Sequence, residues 1–421
     1  MTSTSSTPGA DSACCDEFRA VSRRGLFSGA IALAGATTIV GSAVVTAAPA
    51  MAASASSVLV VLSLRGAADG MSLVVPHGDP VYYQARRRLA IPKTELLAAD
   101  AMFGLHPKLA PLLPLWNAGK LAALHATGLP APNRSHFAAM EEVEDANPGS
   151  TTRQGWLNRL IGADTRTSPL QGFSIGGGVV PGSLFGDQPV MSAGSVQDVK
   201  IAGDDKWAVN DGRKRSLHTL WDANNGPLGK AMRSTFGALN EFQPVKTTVD
   251  NSDAYPDTDL GRSLATVARI VRGDVGVEVL TVDQGDWDMH SDLGTLEWGQ
   301  MRQNADDLGR SIAAFMADLG TQTSKVTLVV LSEFGRRTVE NDSWGLDHGF
   351  GNAMLVAGAG VKGGKVYANW PGLTLDDDAD LLVTTDYRSV LAEIVSTRFG
   401  ASTATVFPGF TPTPLGFMSS L

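Results

Sequence analysis

The chain has 421 residues, of which 43% are hydrophobic, and it carries a formal net charge of -9. This length allows one large or two medium domains, and the apolar content is sufficient for a sizeable core. The acidic balance, with no basic run of five or more residues, argues against a nucleic-acid-binding surface. We therefore expect a globular protein that has no nucleic-acid partner.

Residues 1–52 have the pattern of a twin-arginine export signal. Arg23 and Arg24 precede an alanine- and glycine-rich apolar segment, 26–45, which leads to the small-residue site Ala50-Met51-Ala52. Alanine and glycine are weakly hydrophobic, so the pattern favours a cleaved signal over a membrane anchor. We predict export by the twin-arginine translocase, no stable membrane span after cleavage, and a periplasmic, cell-envelope or extracellular location.

The composition of the mature chain, 53–421, excludes several chemistries. Both cysteines, Cys14 and Cys15, lie in the predicted signal, so disulfides, thiolate metal sites and cysteine nucleophiles are excluded. The glycine-rich segment 358–364 lacks the spacing of a P-loop or a dinucleotide fingerprint. We therefore expect no nucleotide cofactor.

Apolar runs of strand length alternate with helical patterns along the mature chain. The predicted strands are Val58–Leu64, Leu121–Ala126, Val275–Val282, Val326–Leu331 and Ala353–Ala357. The predicted helices are Pro80–Arg88, His136–Val143, Gln154–Leu160, Asp259–Val271, Trp298–Leu319 and Asp386–Arg398. The signals are weaker in the region 155–250, which we interpret as a possible cap or insertion.

Polar residues follow the predicted strands where each strand ends. They are Asp69, Arg134 with Ser135, Asp288 with His290, and finally Glu333, Arg336, Asp347 and His348. Ligands of open α/β sheets gather beyond the carboxyl ends of the strands, so these groups point to one site. Structural alternatives exist: Asp69 fits an Asp-Gly turn, Ser135 fits a helix N-cap, and Asp347 with His348 could tie a loop together. Asp286, at D-x-x-x-H spacing, is an alternative to Asp288 as the partner of His290 in a ligand pair.

These residue types predict a metal-dependent site for an anion. The metal ligands would come from Asp69, Asp288, His290, Glu333, Asp347 and His348. Oxygen and imidazole ligands without cysteine suit Zn, Mn, Mg, Ca or non-haem Fe, and six groups could serve one or two ions. Arg134 and Arg336 could hold anionic oxygens, and Ser135 could act as a nucleophile at a helix N-terminus.

Six ordered motifs resemble those of the DUF1501 family, a bacterial family of unknown function that is similar to the alkaline phosphatase and sulfatase superfamily. The motifs are RGAADG at 65–70, NRSHF at 133–137, WDMH at 287–290, SEFGR at 332–336, DHG at 347–349 and TDYR at 385–388. The resemblance implies an α/β fold, a three-layer α/β/α sandwich around a mostly parallel sheet, with a two-metal site.

The resemblance also assigns residues. It implies that Asp69, Asp288, His290, Glu333 and His348 are metal ligands and that Ser135 falls near the nucleophile. The chain departs from the superfamily in two respects. The C/S-x-P-x-R signature is absent, which excludes a formylglycine sulfatase, and Glu333-Phe334 replaces an aspartate-histidine pair, which removes one expected ligand.

Two functional hypotheses follow. The first is an exported, metal-dependent hydrolase of phosphate or sulfate esters, acting on an anionic small molecule or polymer. The alternative is a non-catalytic extracytoplasmic protein that keeps a phosphatase-like scaffold for binding.

Overall fold

The computed structural model describes residues 37–40, 43–46, 54–164, 168–176, 179–201, 212–376 and 378–419. Its strands are β1 Thr37–Val40, β2 Ala43–Thr46, β3 Val58–Leu64, β4 Val74–Val75, β5 Gly104–Leu105, β6 Leu121–Gly128, β7 Gly172–Ile175, β8 Met191–Ala193, β9 Val279–Gln284, β10 Val326–Leu331, β11 Asn352–Gly358, β12 Val366–Tyr367 and β13 Thr385–Asp386.

Its α-helices are α1 Gly70–Leu73, α2 Pro80–Ala85, α3 Leu113–Asn117, α4 His136–Asp145, α5 Trp156–Ile161, α6 Gly212–Trp221, α7 Pro227–Glu241, α8 Gln243–Thr247, α9 Asp259–Gly273, α10 Gln300–Asp318, α11 Tyr387–Phe399 and α12 Thr403–Val406. Short 3₁₀ helices cover Lys93–Glu95, Pro107–Leu112, Gly182–Leu184, Val196–Asp198, Ser252–Ala254 and Gly320–Ser324.

Eleven of the strands form one sheet in the order β1-β2-β8-β7-β9-β3-β10-β11-β6-β12, with β13 also paired to β6. The five adjacent strands β8, β7, β9, β3 and β10 are parallel to one another. Strand β11 is antiparallel to both β10 and β6, so β6 runs in the same direction as the central strands. The predicted α/β class with a mostly parallel sheet is confirmed.

Apolar clusters cover both faces of the sheet. Alternate residues of β3 point to opposite faces, so Val60 and Leu62 join one cluster whereas Leu59 and Val61 join the other. Helices α9 and α10 contribute to the first cluster, and α4, α5 and α11 contribute to the second. Because both faces are buried, the strands β3, β9 and β10 are largely apolar.

The region 155–250 contributes to the main sheet. Strands β7 and β8 extend the sheet beyond β9, and Phe173 of β7 stacks on Phe242, with ring centroids 5.7 Å apart. The structure therefore places two strands of this region in the main sheet.

Most of the predicted export signal lies outside the described residues, including the two arginines and the site at 50–52. Strands β1 and β2, which fall within its apolar segment, pair with each other, and β2 pairs with β8. In the part of the chain that the structure describes, no helix combines the length and the apolar character needed to cross a membrane.

A buried ion pair fixes the loop after β3. Both terminal nitrogens of the Arg86 guanidinium donate to the Asp69 carboxylate, at 2.5 and 3.0 Å, and the Ser72 hydroxyl donates to the same carboxylate at 2.5 Å. Arg86 also donates to the Arg337 and Thr338 carbonyls. Burial disfavours the charged carboxylate, but the bonds from Arg86 outweigh it and lower the pKa of Asp69. The pair therefore stabilises the fold above the ordinary carboxyl pKa and loses this effect as the pH falls through the lowered value.

We expect Arg86→Met to lower the free energy of unfolding by about 3–5 kcal/mol, because it leaves the buried Asp69 carboxylate without its partner. Urea denaturation of the variant and the wild type measures this difference. Arg262→Met is the control, since the ion pairs of Arg262 with Asp257 and Asp259 are on the surface. Similar stability of the two variants would contradict the prediction.

Candidate metal centre

Four loops meet at one edge of the sheet. They follow the carboxyl ends of β3, β6, β9 and β10, which all point in the same direction. Gly66, in the loop after β3, has a φ of 110°, and a Cβ there would lie 2.5 Å from the Asp288 nitrogen. Glycine is therefore required for the β3 and β9 loops to approach this closely.

Four side-chain atoms converge where these loops meet: the Nε2 atoms of His136, His290 and His348, and Oδ1 of Asp288. His290 Nε2 lies 2.9 Å from His348 Nε2. Oδ1 of Asp288 lies 3.2 Å from His290 Nε2, 3.4 Å from His348 Nε2 and 3.6 Å from His136 Nε2. Donor atoms at about 2.0–2.1 Å from a tetrahedral zinc ion lie about 3.3 Å apart. The three separations from Asp288 Oδ1 are close to this value, and the donor atoms of His136, Asp288 and His348 all lie within 4.8 Å of one another.

The other ring nitrogen of each histidine faces an oxygen that can only accept. His136 Nδ1 lies 2.8 Å from Glu333 Oε1, His290 Nδ1 lies 2.8 Å from Asp347 Oδ1, and His348 Nδ1 lies 2.9 Å from the Arg134 carbonyl. Each Nδ1 therefore carries a proton and donates it, so a neutral ring has its lone pair on Nε2. Ligating histidines in proteins are held in this manner.

The local charge favours a cation. Asp288, Glu333 and Asp347 contribute three carboxylates, and Arg336 contributes one guanidinium, which leaves two negative charges when the histidines are neutral. Burial disfavours charge on His136, but hydrogen bonds to Asp288 and Glu333 outweigh it and raise its pKa to about 9. Burial also opposes the charge on Asp288, yet the three histidines hold the pKa of its carboxyl well below the usual range. A divalent ion would balance this charge.

Two local features of the backbone bring the converging side chains together. The segment 332–351 folds back on itself, with Arg336 and His348 paired as an antiparallel bridge and the Gly349 nitrogen donating to the Gly335 carbonyl at 2.8 Å. This places His348 beside the residues that follow β10. His136 is the first residue of α4, and the Asn133 side chain shapes the preceding turn by accepting from the Ser135 nitrogen at 3.1 Å.

Arg336 joins three of the loops. Its buried guanidinium donates to the carbonyls of Gly66, Ala67, Trp287 and Leu346, and to Asp288 Oδ1 at 2.7 Å. The sequence predicts that this arginine holds a substrate anion. The structure instead places it in contacts within the protein, where it orients the Asp288 carboxylate.

The predicted metal ligands occupy three kinds of position. Asp288, His290 and His348 lie in the converging set. Glu333 and Asp347 are not in this set; their carboxylates accept hydrogen bonds from the Nδ1 atoms of His136 and His290 and so orient the two rings. Asp69 is outside the set because its carboxylate is bound to Arg86 and Ser72. Asp286, the alternative partner of His290, is exposed.

His136 is not among the metal ligands predicted from the sequence. It belongs to the NRSHF motif, but the pattern of a helix start draws attention to the preceding Ser135. Among the described residues, His136 forms a potential metal-binding group with Asp288 and His348, whose ligand atoms lie within 4.8 Å of one another. A histidine placed where a helix begins after a strand is the signal that could have revealed it.

The predicted nucleophile and its neighbouring arginine lie beside this group. Ser135 is the N-cap residue of α4, but its side chain makes no capping hydrogen bond. The Arg134 guanidinium, whose side chain is 36% exposed, contacts Asp380 at 2.5 Å. Its backbone carbonyl accepts from His348, so the serine and arginine directly adjoin the centre.

The fold and the site together define an α/β protein with a candidate metal centre at the carboxyl edge of its sheet. The model of the family described as "Protein of unknown function (DUF1501)" matches residues 97–393, which is more than half of the chain. The protein belongs to this family. A comparison with curated proteins found no match.

Two solved structures show a remote likeness. Both are crystal structures of the C-terminal periplasmic domain of EcEptC from Escherichia coli, one of them in complex with Zn. The Zn complex is 11% identical, with a TM-score of 0.32, and the match covers 74% of this chain and 77% of that chain. The other structure is 12% identical, with a TM-score of 0.32, and the match covers 87% of this chain and 92% of that chain. A likeness at this level does not indicate a shared activity.

We expect the purified protein to bind one divalent transition-metal ion per chain. Elemental analysis should find the ion near stoichiometry in the wild type and depleted in His136→Ala and His348→Ala, because each variant removes a converging nitrogen. Asp286→Asn is the matched control, since this exposed residue lies in the same loop as Asp288. A folded wild type without metal, even after incubation with Zn and Mn, would contradict the prediction.

The carboxylates behind the histidines should set the affinity for the ion. Glu333→Gln and Asp347→Asn are expected to weaken metal binding by about 10- to 100-fold, because each weakens the hydrogen bond that orients a ligating ring. Competition with a chromophoric chelator measures the dissociation constants. Unchanged affinity in both variants would show that these carboxylates do not support the ligands.

Proposed function

We propose that this protein is a metal-dependent hydrolase of phosphate or sulfate esters. The observation that carries the proposal is the convergence of three Nε2 atoms on Asp288 Oδ1, with every Nδ1 held by an acceptor. Its position beyond the carboxyl ends of parallel strands supports a role in ligand binding or catalysis.

The donor set narrows the choice of metal. Three imidazoles and one carboxylate suit Zn, Mn or Fe better than Mg or Ca, which prefer oxygen ligands throughout. Among the residues that the structure describes, one group of potential ligands has all its donor atoms within 4.8 Å of one another, namely His136, Asp288 and His348. His290 Nε2 lies 2.9 Å from His348 Nε2. We therefore propose one ion, held by His136, Asp288, His290 and His348, in place of the two-metal site that the family resemblance implies.

The surrounding residues have defined roles in this proposal. A divalent cation, when bound, would supply Lewis-acid polarisation of an ester oxygen and favour an ionised nucleophile. Ser135 forms the new bond to phosphorus or sulfur, the ester oxygen leaves with a proton, and water then releases the anion from the serine. The N-terminus of α4 and the guanidinium of Arg134 stabilise the anionic oxygens.

The same geometry has a non-catalytic alternative. A metal-bearing scaffold could bind an anionic small molecule or polymer without hydrolysing it. The contact between Arg134 and Asp380 supports this alternative, because it must rearrange before the guanidinium can bind two oxygens of a substrate. Export by the twin-arginine translocase, with an extracytoplasmic location, is part of both proposals.

We expect the metal-loaded protein to hydrolyse aryl phosphate or aryl sulfate esters, and Ser135→Ala to reduce kcat by at least about 100-fold because it removes the nucleophile. Release of the coloured phenol measures the rate. Ser150→Ala is the control, since Ser150 lies on the surface segment that follows α4. Full activity of Ser135→Ala would exclude the nucleophile role. Absence of turnover in a metal-loaded protein would favour the binding scaffold.

A further inference from the structure

Two exposed tryptophans adjoin the metal centre. The side chains of Trp298 and Trp344 are 40% and 37% exposed, and their ring centroids lie 5.6 Å apart at an interplanar angle of 64°. Trp298 lies eight residues after the ligand His290, and Trp344 lies four residues before the ligand His348. A pair of large exposed aromatic rings is a typical feature of a binding surface.

The backbone of Trp344 adopts a conformation that bulky residues avoid. Its φ is 59°, in the left-handed region that favours glycine. The Asn341 side chain supports this turn, because its oxygen accepts from the Ser343 and Gly345 nitrogens at 2.9 and 3.1 Å. Residues kept in such conformations are concentrated at functional sites.

The same asparagine joins this turn to the centre. Its Nδ2 donates to the His290 carbonyl at 2.8 Å and contacts Asp347 Oδ1 at 3.3 Å. Gly345 lies so close to His290 that a Cβ would be 2.1 Å from its carbonyl oxygen. The position of Trp344 is therefore fixed relative to a metal ligand.

The loop that carries Trp298 is bonded to the Trp344 turn. The Asp292 nitrogen donates to the Ser343 carbonyl at 3.2 Å, and the Gly294 nitrogen donates to the Trp344 carbonyl at 3.3 Å. The Thr295 nitrogen donates to the Trp298 carbonyl at 2.8 Å, which closes this loop on itself. The two indoles thus form one surface, which we call the tryptophan pair.

The charges near the tryptophan pair favour a cationic ligand. Three exposed carboxylates lie near the pair. Glu297 precedes Trp298, Asp342 lies two residues before Trp344, and the Asp292 backbone is bonded to Ser343. None of the three forms an ion pair with a described residue. The guanidinium of Arg88 lies 4.8 Å from the Trp344 ring centroid, and Glu340 neutralises it at 2.9 Å. The Trp344 ring thus already contacts one cation, the Arg88 guanidinium, and the exposed carboxylates nearby are negatively charged.

We propose that the tryptophan pair binds an alkylammonium group at the non-reacting end of the substrate. Aromatic faces attract such groups through their quadrupole, and the flanking carboxylates complement the charge. The ester of the same molecule would then lie at the metal centre; this second part rests on the proposed function. The preferred substrate is an ester of an amino alcohol or of a quaternary ammonium alcohol.

A titration with two probes of the same shape tests the proposal. Choline carries a quaternary ammonium group, and 3,3-dimethylbutan-1-ol replaces its nitrogen by carbon. We expect choline to bind the purified mature protein roughly three- to fivefold more tightly, as followed by saturation-transfer NMR of the methyl groups of each probe. Equal or tighter binding of the neutral alcohol would overturn the proposal.

Variants locate the binding. Trp344→Gly keeps the positive φ without strain, so the turn is preserved, and it should weaken choline binding by roughly two- to fivefold. Trp298→Ala should have a similar effect. Leu220→Ala removes an exposed apolar side chain from α6 and should leave the affinity unchanged. Wild-type affinity in both tryptophan variants would overturn the proposal.

The probes contain no ester, so the two proposals can fail separately. Choline binding that depends on both tryptophans, in a protein that hydrolyses no ester, would support the cation site and contradict the hydrolase function. Hydrolysis of aryl esters without a preference for choline over its neutral analogue would support the hydrolase function and overturn the cation site.

Discussion

The buried guanidinium of Arg336 is the interaction on which the site depends. It donates to carbonyls of the loops after β3, β9 and β10, namely those of Gly66, Ala67, Trp287 and Leu346, and it also contacts the Asp288 carboxylate. Gly66, Ala67 and Leu346 are buried, so loss of the arginine would remove a hydrogen-bond partner from each of their carbonyls, at a cost of about 1–3 kcal/mol each. The Trp287 carbonyl also accepts from the Met289 nitrogen. Its charge also allows three carboxylates to lie close together. Arg336, which the sequence predicts to hold a substrate anion, thus contacts and orients the Asp288 carboxylate.

Much of the fold could be predicted because the determinants are local. Val58–Leu64 and Val326–Leu331 are predicted with the bounds that the structure has, since runs rich in β-branched residues and leucine are typical of buried parallel strands. Helix α9 is predicted to within two residues from its apolar spacing. The short strands β7 and β8 have four and three residues and carry no comparable signal.

The site could be predicted only in part because side-chain partners are set by distance in space. Asp69 is at the end of β3, as expected, but Arg86, 17 residues further on, binds it. Glu333 follows β10, yet its carboxylate meets a ring nitrogen of His136, which is 197 residues away in sequence. Whether a carboxylate contacts a metal directly or orients a histidine depends on a few ångströms. The sequence specifies the loop that carries the residue but not this distance.

The arrangement of the histidines supports a metal site more than a loop held only by hydrogen bonds. A histidine that only joins two loops would donate from one nitrogen and accept with the other. Here each Nδ1 must donate to an oxygen, so the Nε2 atoms of His290 and His348 face each other at 2.9 Å with their lone pairs. Two lone pairs at this distance repel unless a positive charge lies between them. A proton could supply this charge for one pair, but the Asp288 oxygen lies within 3.6 Å of all three Nε2 atoms, and we infer that the group is suited to a divalent ion.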